Sequence, residues 1–142
     1  GSATLVLPAR SDNAATVGAS RLLYGFLLRR SARIAEYEPS LLHNKLIVID
    51  DIVLVGSANL DMRSLYVNME LTLRIEDAGL AAQCRSLIAA QRALSTPIDM
   101  ALHKRRAGWI NRLRWFASWL VVSVIDYSVT RRLNFGLGKP PV

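Results

Sequence analysis

Two residues that could handle an anion stand two positions apart near the middle of the chain. His43 and Lys45 lie in residues 42–49, an apolar run with the composition of a β-strand. Because successive side chains of a strand point to opposite faces, His43 and Lys45 would emerge on the same face. An imidazole can attack phosphorus or move a proton near neutral pH, and an ammonium group stabilises phosphoryl oxygens as they become more negative.

Small polar residues follow a second apolar run. Residues 52–55 are all aliphatic, and Ser57 and Asn59 come shortly after them. Asp50 and Asp51 separate the two runs and favour a turn. A hairpin through this turn would bring Ser57 and Asn59 back beside the first strand, where they could donate hydrogen bonds to the same anion.

These segments resemble a known motif. HNKLIVID, residues 43–50, followed by GSAN, residues 56–59, is similar to the HKD motif of the phospholipase D superfamily. Residues 56–71 resemble the second HKD half of bacterial cardiolipin synthases, and residues 7–13 resemble the start of that half. The spacing between the two parts of the motif is one residue shorter than usual. The resemblance covers residues 3–100 and extends more loosely over the rest of the chain.

The resemblance implies roles for the polar residues. In this family one histidine attacks phosphorus to form a covalent phosphohistidine, and another protonates the leaving alcohol and then activates the incoming one. We assign His43 to the acid/base role, and the opposite order of the two histidines stays open. Lys45 and Asn59 would hold phosphoryl oxygens. Ser57 would donate to the phosphate or support Asn59.

Two carboxylates have different expected roles. Glu70 matches the family position whose carboxylate hydrogen-bonds a catalytic histidine and fixes its tautomer. Asp50 has the opposite strand parity to His43, so we predict that it pins the turn or supports the site from behind. Arg63 and Asn68 match family positions and could equally be scaffold. The histidines are far apart and no acidic cluster has ligand spacing, so we predict neither a metal nor a cofactor.

The chain carries one HKD motif, whereas the family builds one active site from two. The only other histidine, His103, lacks a lysine two positions later. We therefore predict that an N-terminal HKD half completes the site. The alternative is a second copy of the chain related by a two-fold axis.

Composition restricts the class of protein and of partner. The 142 residues are 51% hydrophobic and 20% charged, which excludes a disordered chain. A net charge of +7 favours anionic partners, namely phospholipid, phosphorylated substrates or, less favoured, nucleic acid. The single cysteine excludes an internal disulfide.

Apolar periodicity predicts alternating strands and helices. We expect strands over residues 3–7, 33–37, 42–49, 52–57 and 68–75, and helices over residues 14–30 and 77–93. This alternation indicates an α/β fold in which a mixed β-sheet is layered with helices, as in a phospholipase D-like half-domain. We assign residues 1–100 to that domain and residues 101–142 to an amphipathic helical tail.

The predicted tail combines tryptophan and arginine with a short apolar run. Residues 116–125 form that run, which is far shorter than the roughly 20 residues that span a bilayer. Such a helix can lie in the membrane interface, with contacts through Trp109, Arg112, Arg114, Trp115 and Trp119. The alternative is a helix packed on the domain or on the missing half.

Three functions remain in competition. The first is transfer of a phosphatidyl group between phospholipids, by a peripheral protein on the cytoplasmic side of a bacterial membrane. The second is a phospholipase or nuclease that acts as a homodimer. The third is a non-catalytic domain that binds anionic lipid or nucleic acid.

Overall fold

A computed structural model describes residues 2–12, 14–59 and 70–126 of the chain. Within these ranges the chain forms six strands and four helices, and a π-helical segment, Val121–Asp126, continues the last helix. In chain order they are β1 (Thr4–Pro8), α1 (Ala14–Arg29), β2 (Arg33–Tyr37), β3 (Leu46–Ile49), β4 (Ile52–Gly56), β5 (Thr72–Glu76), α2 (Ala78–Ala93), β6 (Ser95–Ile98), α3 (Met100–Arg106) and α4 (Trp109–Leu120). The predicted α/β class is confirmed.

The strands divide into two three-stranded sheets, which the sequence did not predict. In the first sheet β1 runs parallel to β2, and β2 runs antiparallel to β6. In the second sheet β3, β4 and β5 form an antiparallel meander in which Val55 pairs with both Leu46 and Leu73. The first sheet is therefore the mixed sheet.

Each sheet packs against a helix. Tyr24 of α1 meets Ile34 and Ile98 of the first sheet, and all three side chains are buried. Val53 of β4 and Ala81 of α2 are also buried, at 1% and 0% exposure, and α2 contacts β4. The layers predicted from apolar periodicity therefore hold the core.

The structure differs from two predictions. The strand predicted over residues 42–49 begins at Leu46, and residues 41–45 are irregular. No strand was predicted after the second helix, yet Pro97 lies in β6 and pairs with Ala35. A proline is tolerated there because β6 is an edge strand of the described sheet, where a missing N–H leaves no neighbour without a partner. The predicted strand 68–75 is β5, and residues 68 and 69 lie outside the described part.

The helices that follow β6 pack against α1. Gly18 of α1 approaches Ser118 of α4 so closely that an added Cβ would lie 2.5 Å from the serine oxygen. Trp115 is only 9% exposed and stacks on His103, with ring centroids 5.8 Å apart. The predicted membrane contact through Trp115 is therefore wrong, because α4 turns this side chain toward α1. The domain boundary at residue 100 stays a prediction.

A buried carboxylate joins the first sheet to two helices. Glu36 of β2 is 2% exposed and accepts two hydrogen bonds from Arg21 of α1, at 2.8 and 3.0 Å. Arg106 at the end of α3 donates a third bond to it at 3.0 Å. This bonding with Glu36 raises the pKa of Arg21.

None of the helices among the described residues is long and apolar enough to cross a membrane.

Candidate active site

Several predicted site residues meet at one end of the second sheet. The Gly56 amide donates to the carbonyl of Lys45 at 3.3 Å, and the Ser57 amide donates to the carbonyl of Leu71 at 2.9 Å. Glu70 directly precedes Leu71, so the start of β3, the end of β4 and the start of β5 share this end. The meander thus brings together residues that lie more than twenty positions apart.

His43 and Lys45 are in direct contact at this end. Lys45 Nζ lies 2.5 Å from His43 Nε2 and 3.1 Å from the His43 carbonyl oxygen. An ammonium group has only donors, so a hydrogen bond between these atoms requires the ring tautomer in which Nε2 is the acceptor. His43 lies in an irregular segment rather than in the predicted strand, yet the predicted proximity of the two side chains is present.

A cleft opens beside His43. It has a volume of about 190 Å³ and is lined by residues 10–12, Leu41, Leu42 and His43. The guanidinium of Arg10 donates to the carbonyl of Glu38 at 2.8 Å, which holds the first wall in place. Its lining combines the charged side chains of Arg10 and Asp12 and the imidazole of His43 with two leucines, so it offers both polar and apolar contacts to a ligand.

The cleft residues Arg10, Ser11 and Asp12 were not among the predicted site residues. They directly follow β1 and precede α1, and a polar turn between a strand and the following helix commonly forms a ligand site. The same turn lies within residues 7–13, which already resembled the start of an HKD half. That signal could have located this wall of the cleft.

Ser57 has a structural contact as well as a possible ligand contact. Its Oγ accepts a hydrogen bond from the Leu71 amide at 3.1 Å and lies 3.5 Å from the Leu71 carbonyl oxygen. Gly56 beside it permits this close approach, because a Cβ there would lie 2.1 Å from the same carbonyl oxygen. The hydroxyl proton makes at most a long contact, so it can be turned toward a bound anion.

Asp50 lies at the opposite end of β3 from Lys45, and the four-residue strand between them is about 13 Å long. It sits in the β3–β4 turn with a left-handed backbone (φ 48°), and its carbonyl accepts from Arg85 at 2.6 Å. This placement agrees with a role in the turn. It gives no support for contact with the ligand.

Of the remaining predicted residues, the structure describes Asn59 and Glu70. Asn59 is exposed two positions beyond Ser57, and Glu70 is partly buried. Arg63 and Asn68 lie outside the described residues. Among the residues that are described, no group of three or more His, Cys, Asp or Glu side chains could hold a metal ion.

Comparisons with known proteins identify the family. Residues 3–91 match the model of the PLD-like domain of cardiolipin synthase, which is more than half of the chain. The chain therefore belongs to the cardiolipin synthase group of PLD-like domains, in agreement with the resemblance of its HKD motif. No solved structure matches the chain.

Three relatives bear the same name. The chain is 36% identical over 122 residues to cardiolipin synthase A of Cronobacter sakazakii, and 35% identical to cardiolipin synthase A of Salmonella arizonae and of Salmonella newport. Each match covers 83% of this chain and 25% of the relative. The chain thus spans about a quarter of the length of these relatives.

Proposed function

We propose that this chain supplies one of the two HKD motifs of an enzyme that transfers a phosphatidyl group between phospholipids. The observation that carries the proposal is the contact of the His43 imidazole with the Lys45 ammonium in a chain of this family. The adjoining cleft, whose lining is both charged and apolar, supports a substrate that has polar and apolar parts, as a phospholipid has. The relatives' name, cardiolipin synthase A, supports the same substrate class.

In the proposed mechanism a histidine of the other half attacks phosphorus. The new P–N bond replaces the P–O bond of the leaving alcohol, and His43 in its protonated form gives that alkoxide a proton. The neutral His43 then takes the proton of the incoming lipid alcohol, whose oxygen displaces the histidine from phosphorus. We assign the proton exchange to Nε2, and the contact of this atom with the Lys45 ammonium group supports that assignment.

Other residues of the site stabilise charge or orient groups in this proposal. The ammonium group of Lys45, which now contacts His43 Nε2, would donate to a phosphoryl oxygen of the bound substrate. Asn59 and the hydroxyl of Ser57 donate to the remaining oxygens, and Glu70 fixes the tautomer of a catalytic histidine. Asp50 acts through the β3–β4 turn.

The second motif comes from an N-terminal HKD half in this proposal, and the protein acts peripherally at the cytoplasmic face of the membrane. A chain that covers a quarter of its relatives leaves ample length for such a half in a complete enzyme. A second copy of this chain would replace that half if the protein were a homodimer.

His43→Ala tests the proposal in the complete enzyme, with phosphatidyl transfer measured by mass spectrometry of the lipid products. We expect turnover to fall at least about a thousandfold, because the variant loses the group that moves both protons. Asn44→Ala is the matched control, since Asn44 is the exposed neighbour in the same irregular segment. It should retain turnover within a factor of about two.

Retained phosphatidyl transfer by His43→Ala would overturn the proposal, provided that circular dichroism shows the variant to be folded. Transfer by this chain alone, from a sample that is dimeric in solution, would instead favour the homodimer. Hydrolysis of duplex DNA without lipid transfer would favour the nuclease.

A further inference from the structure

The outer face of α4 is apolar although it is exposed. Trp109, Leu113 and Phe116 are 77%, 61% and 50% exposed, and they recur at the spacing of one helix face. Ile110, Leu120 and Val121 extend the same face and are 55%, 38% and 47% exposed. We call these six residues the outer face of α4.

The opposite side of α4 faces the protein. Trp115 is buried against His103, and Ser118 meets Gly18 of α1. A helix at the surface of a globular protein normally has the reverse arrangement, with its apolar stripe against the core and its polar side in water. The orientation of α4 is fixed by these packed residues, so its outer face cannot simply rotate inward.

Positive charge surrounds the outer face. At 100° per residue, Arg112 lies next to Phe116 on one edge and Arg114 next to Val121 on the other, and both arginines are exposed. Lys104 and Arg105 on α3 are also exposed and precede α4 in the chain. No Asp or Glu occurs from residue 100 to residue 125. The partner of this surface must therefore accept apolar side chains between cationic edges.

We propose that the outer face of α4 lies in the interface of an anionic phospholipid bilayer. Its six apolar residues would enter the acyl boundary, while Arg112 and Arg114 reach the phosphate headgroups on either side. The twelve residues of α4 extend about 18 Å, which suits a helix lying along the surface. This inference rests on the proposed function, because it names the surface from which that site takes lipid.

Vesicle binding tests the inference with the whole chain. Sedimentation with vesicles of equal parts phosphatidylglycerol and phosphatidylcholine should show binding, and vesicles of phosphatidylcholine alone should bind it much more weakly. The double variant L113Q/F116Q should bind the mixed vesicles at least about tenfold more weakly, because two large apolar side chains no longer enter the lipid. Both positions are exposed, so the fold should be retained.

A matched control removes similar apolar groups elsewhere. Leu87 lies in α2 and Leu94 directly follows it, and the two side chains are 47% and 63% exposed. Because neither belongs to the outer face of α4, L87Q/L94Q should bind the mixed vesicles as the unaltered chain does. The pair R112Q/R114Q should lose the preference for the anionic vesicles. Trp109→Phe should remove most of the blue shift of tryptophan fluorescence on binding, because Trp109 is far more exposed than Trp115.

Three results would overturn the inference. They are equal binding to both kinds of vesicle, unchanged binding by L113Q/F116Q, and a change from dimer to monomer in that variant without any loss of vesicle binding. The last result would assign the face to a second copy of the chain. Vesicle binding is measured without turnover, so failure of the catalytic proposal and failure of this one are separate observations.

Discussion

At the scale of single residues, Glu36 is the only charged residue that is buried among the residues described. It is buried in β2 and receives hydrogen bonds from guanidinium groups on two helices. Arg74 and Glu76 form a second ion pair, but both side chains are more than half exposed. The two pairs have the same chemistry in different surroundings, so they allow burial to be tested by itself.

Glu36→Gln should lower the free energy of unfolding by about 3 kcal/mol, because two partly buried arginines lose their counter-charge. Glu76→Gln should change it by less than about 1 kcal/mol, since exposed pairs contribute little. Urea denaturation followed by circular dichroism measures both variants. Equal losses would mean that Glu36 does not hold α1 and α3 to the sheet.

At the scale of elements, the contact between α1 and α4 depends on two small residues. An added Cβ at Gly18 would lie 2.5 Å from Ser118 Oγ and 2.8 Å from Ser118 Cβ. The second atom cannot rotate away, so the helices would have to separate. Gly25 makes a similar approach to His103, where a Cβ would lie 3.0 Å from the ring nitrogen Nε2.

Gly18→Ala should therefore lower the free energy of unfolding by about 1–2 kcal/mol, although alanine is otherwise the better helix former. Ser118→Gly should restore much of that loss in the double variant. The coupling energy from a double-mutant cycle, measured by thermal denaturation, should exceed about 1 kcal/mol. Additive effects of the two changes would contradict the proposed close packing.

The elements also show how far the sequence could predict the structure. The bounds of β2, the turn at Asp50 and the end of α2 at Ala93 were predicted correctly, because each depends on local residue types. The strand β6 was missed because proline usually ends a helix, and only pairing with β2 makes it a strand. Similarly, no pattern within α4 shows that Trp115 faces inward. Contacts with α1 and α3 decide that orientation.

The candidate site was predictable to a similar extent. The proximity of His43 and Lys45 follows from spacing alone, and the hairpin predicted that Ser57 returns beside them. The wall formed by Arg10, Ser11 and Asp12 depends on the crossing of the chain between two sheets, which local patterns do not contain. The roles of His43, Lys45, Asp50, Ser57, Asn59 and Glu70 in turnover stay predictions.

At the scale of the whole molecule, His103 makes the stability of the folded chain depend on pH. It stacks on Trp115 and approaches Tyr24, with ring centroids 6.3 Å apart. Burial, followed by the positive charges of Arg112 and Arg29, lowers the pKa of His103 below its ordinary value. The protonated imidazole is therefore less favourable in the folded chain than in the unfolded one.

The stability of the chain should consequently fall as the pH drops. Above an unfolded-state pKa of about 6.5 neither state is protonated at His103, and the full stability is present. Below it the unfolded chain binds the proton first, so stability decreases until the lower folded-state pKa is passed. Urea midpoints measured from about pH 7.5 to about pH 5.5 should decrease less in His103→Asn than in the unaltered chain. Parallel pH curves for the two would contradict this assignment.

Helix α1 joins the two surfaces discussed above. Its first turn follows Asp12, which lines the cleft. Farther along the helix, Gly18 packs against Ser118 of α4 and Gly25 packs against His103 of α3. Sixteen helical residues form a stiff rod of about 24 Å. A chain resting on lipid through α4 would hold its cleft at one set height and angle above the leaflet. In that case, helix α1 would determine the distance between the leaflet surface and His43 that a phosphodiester has to cross.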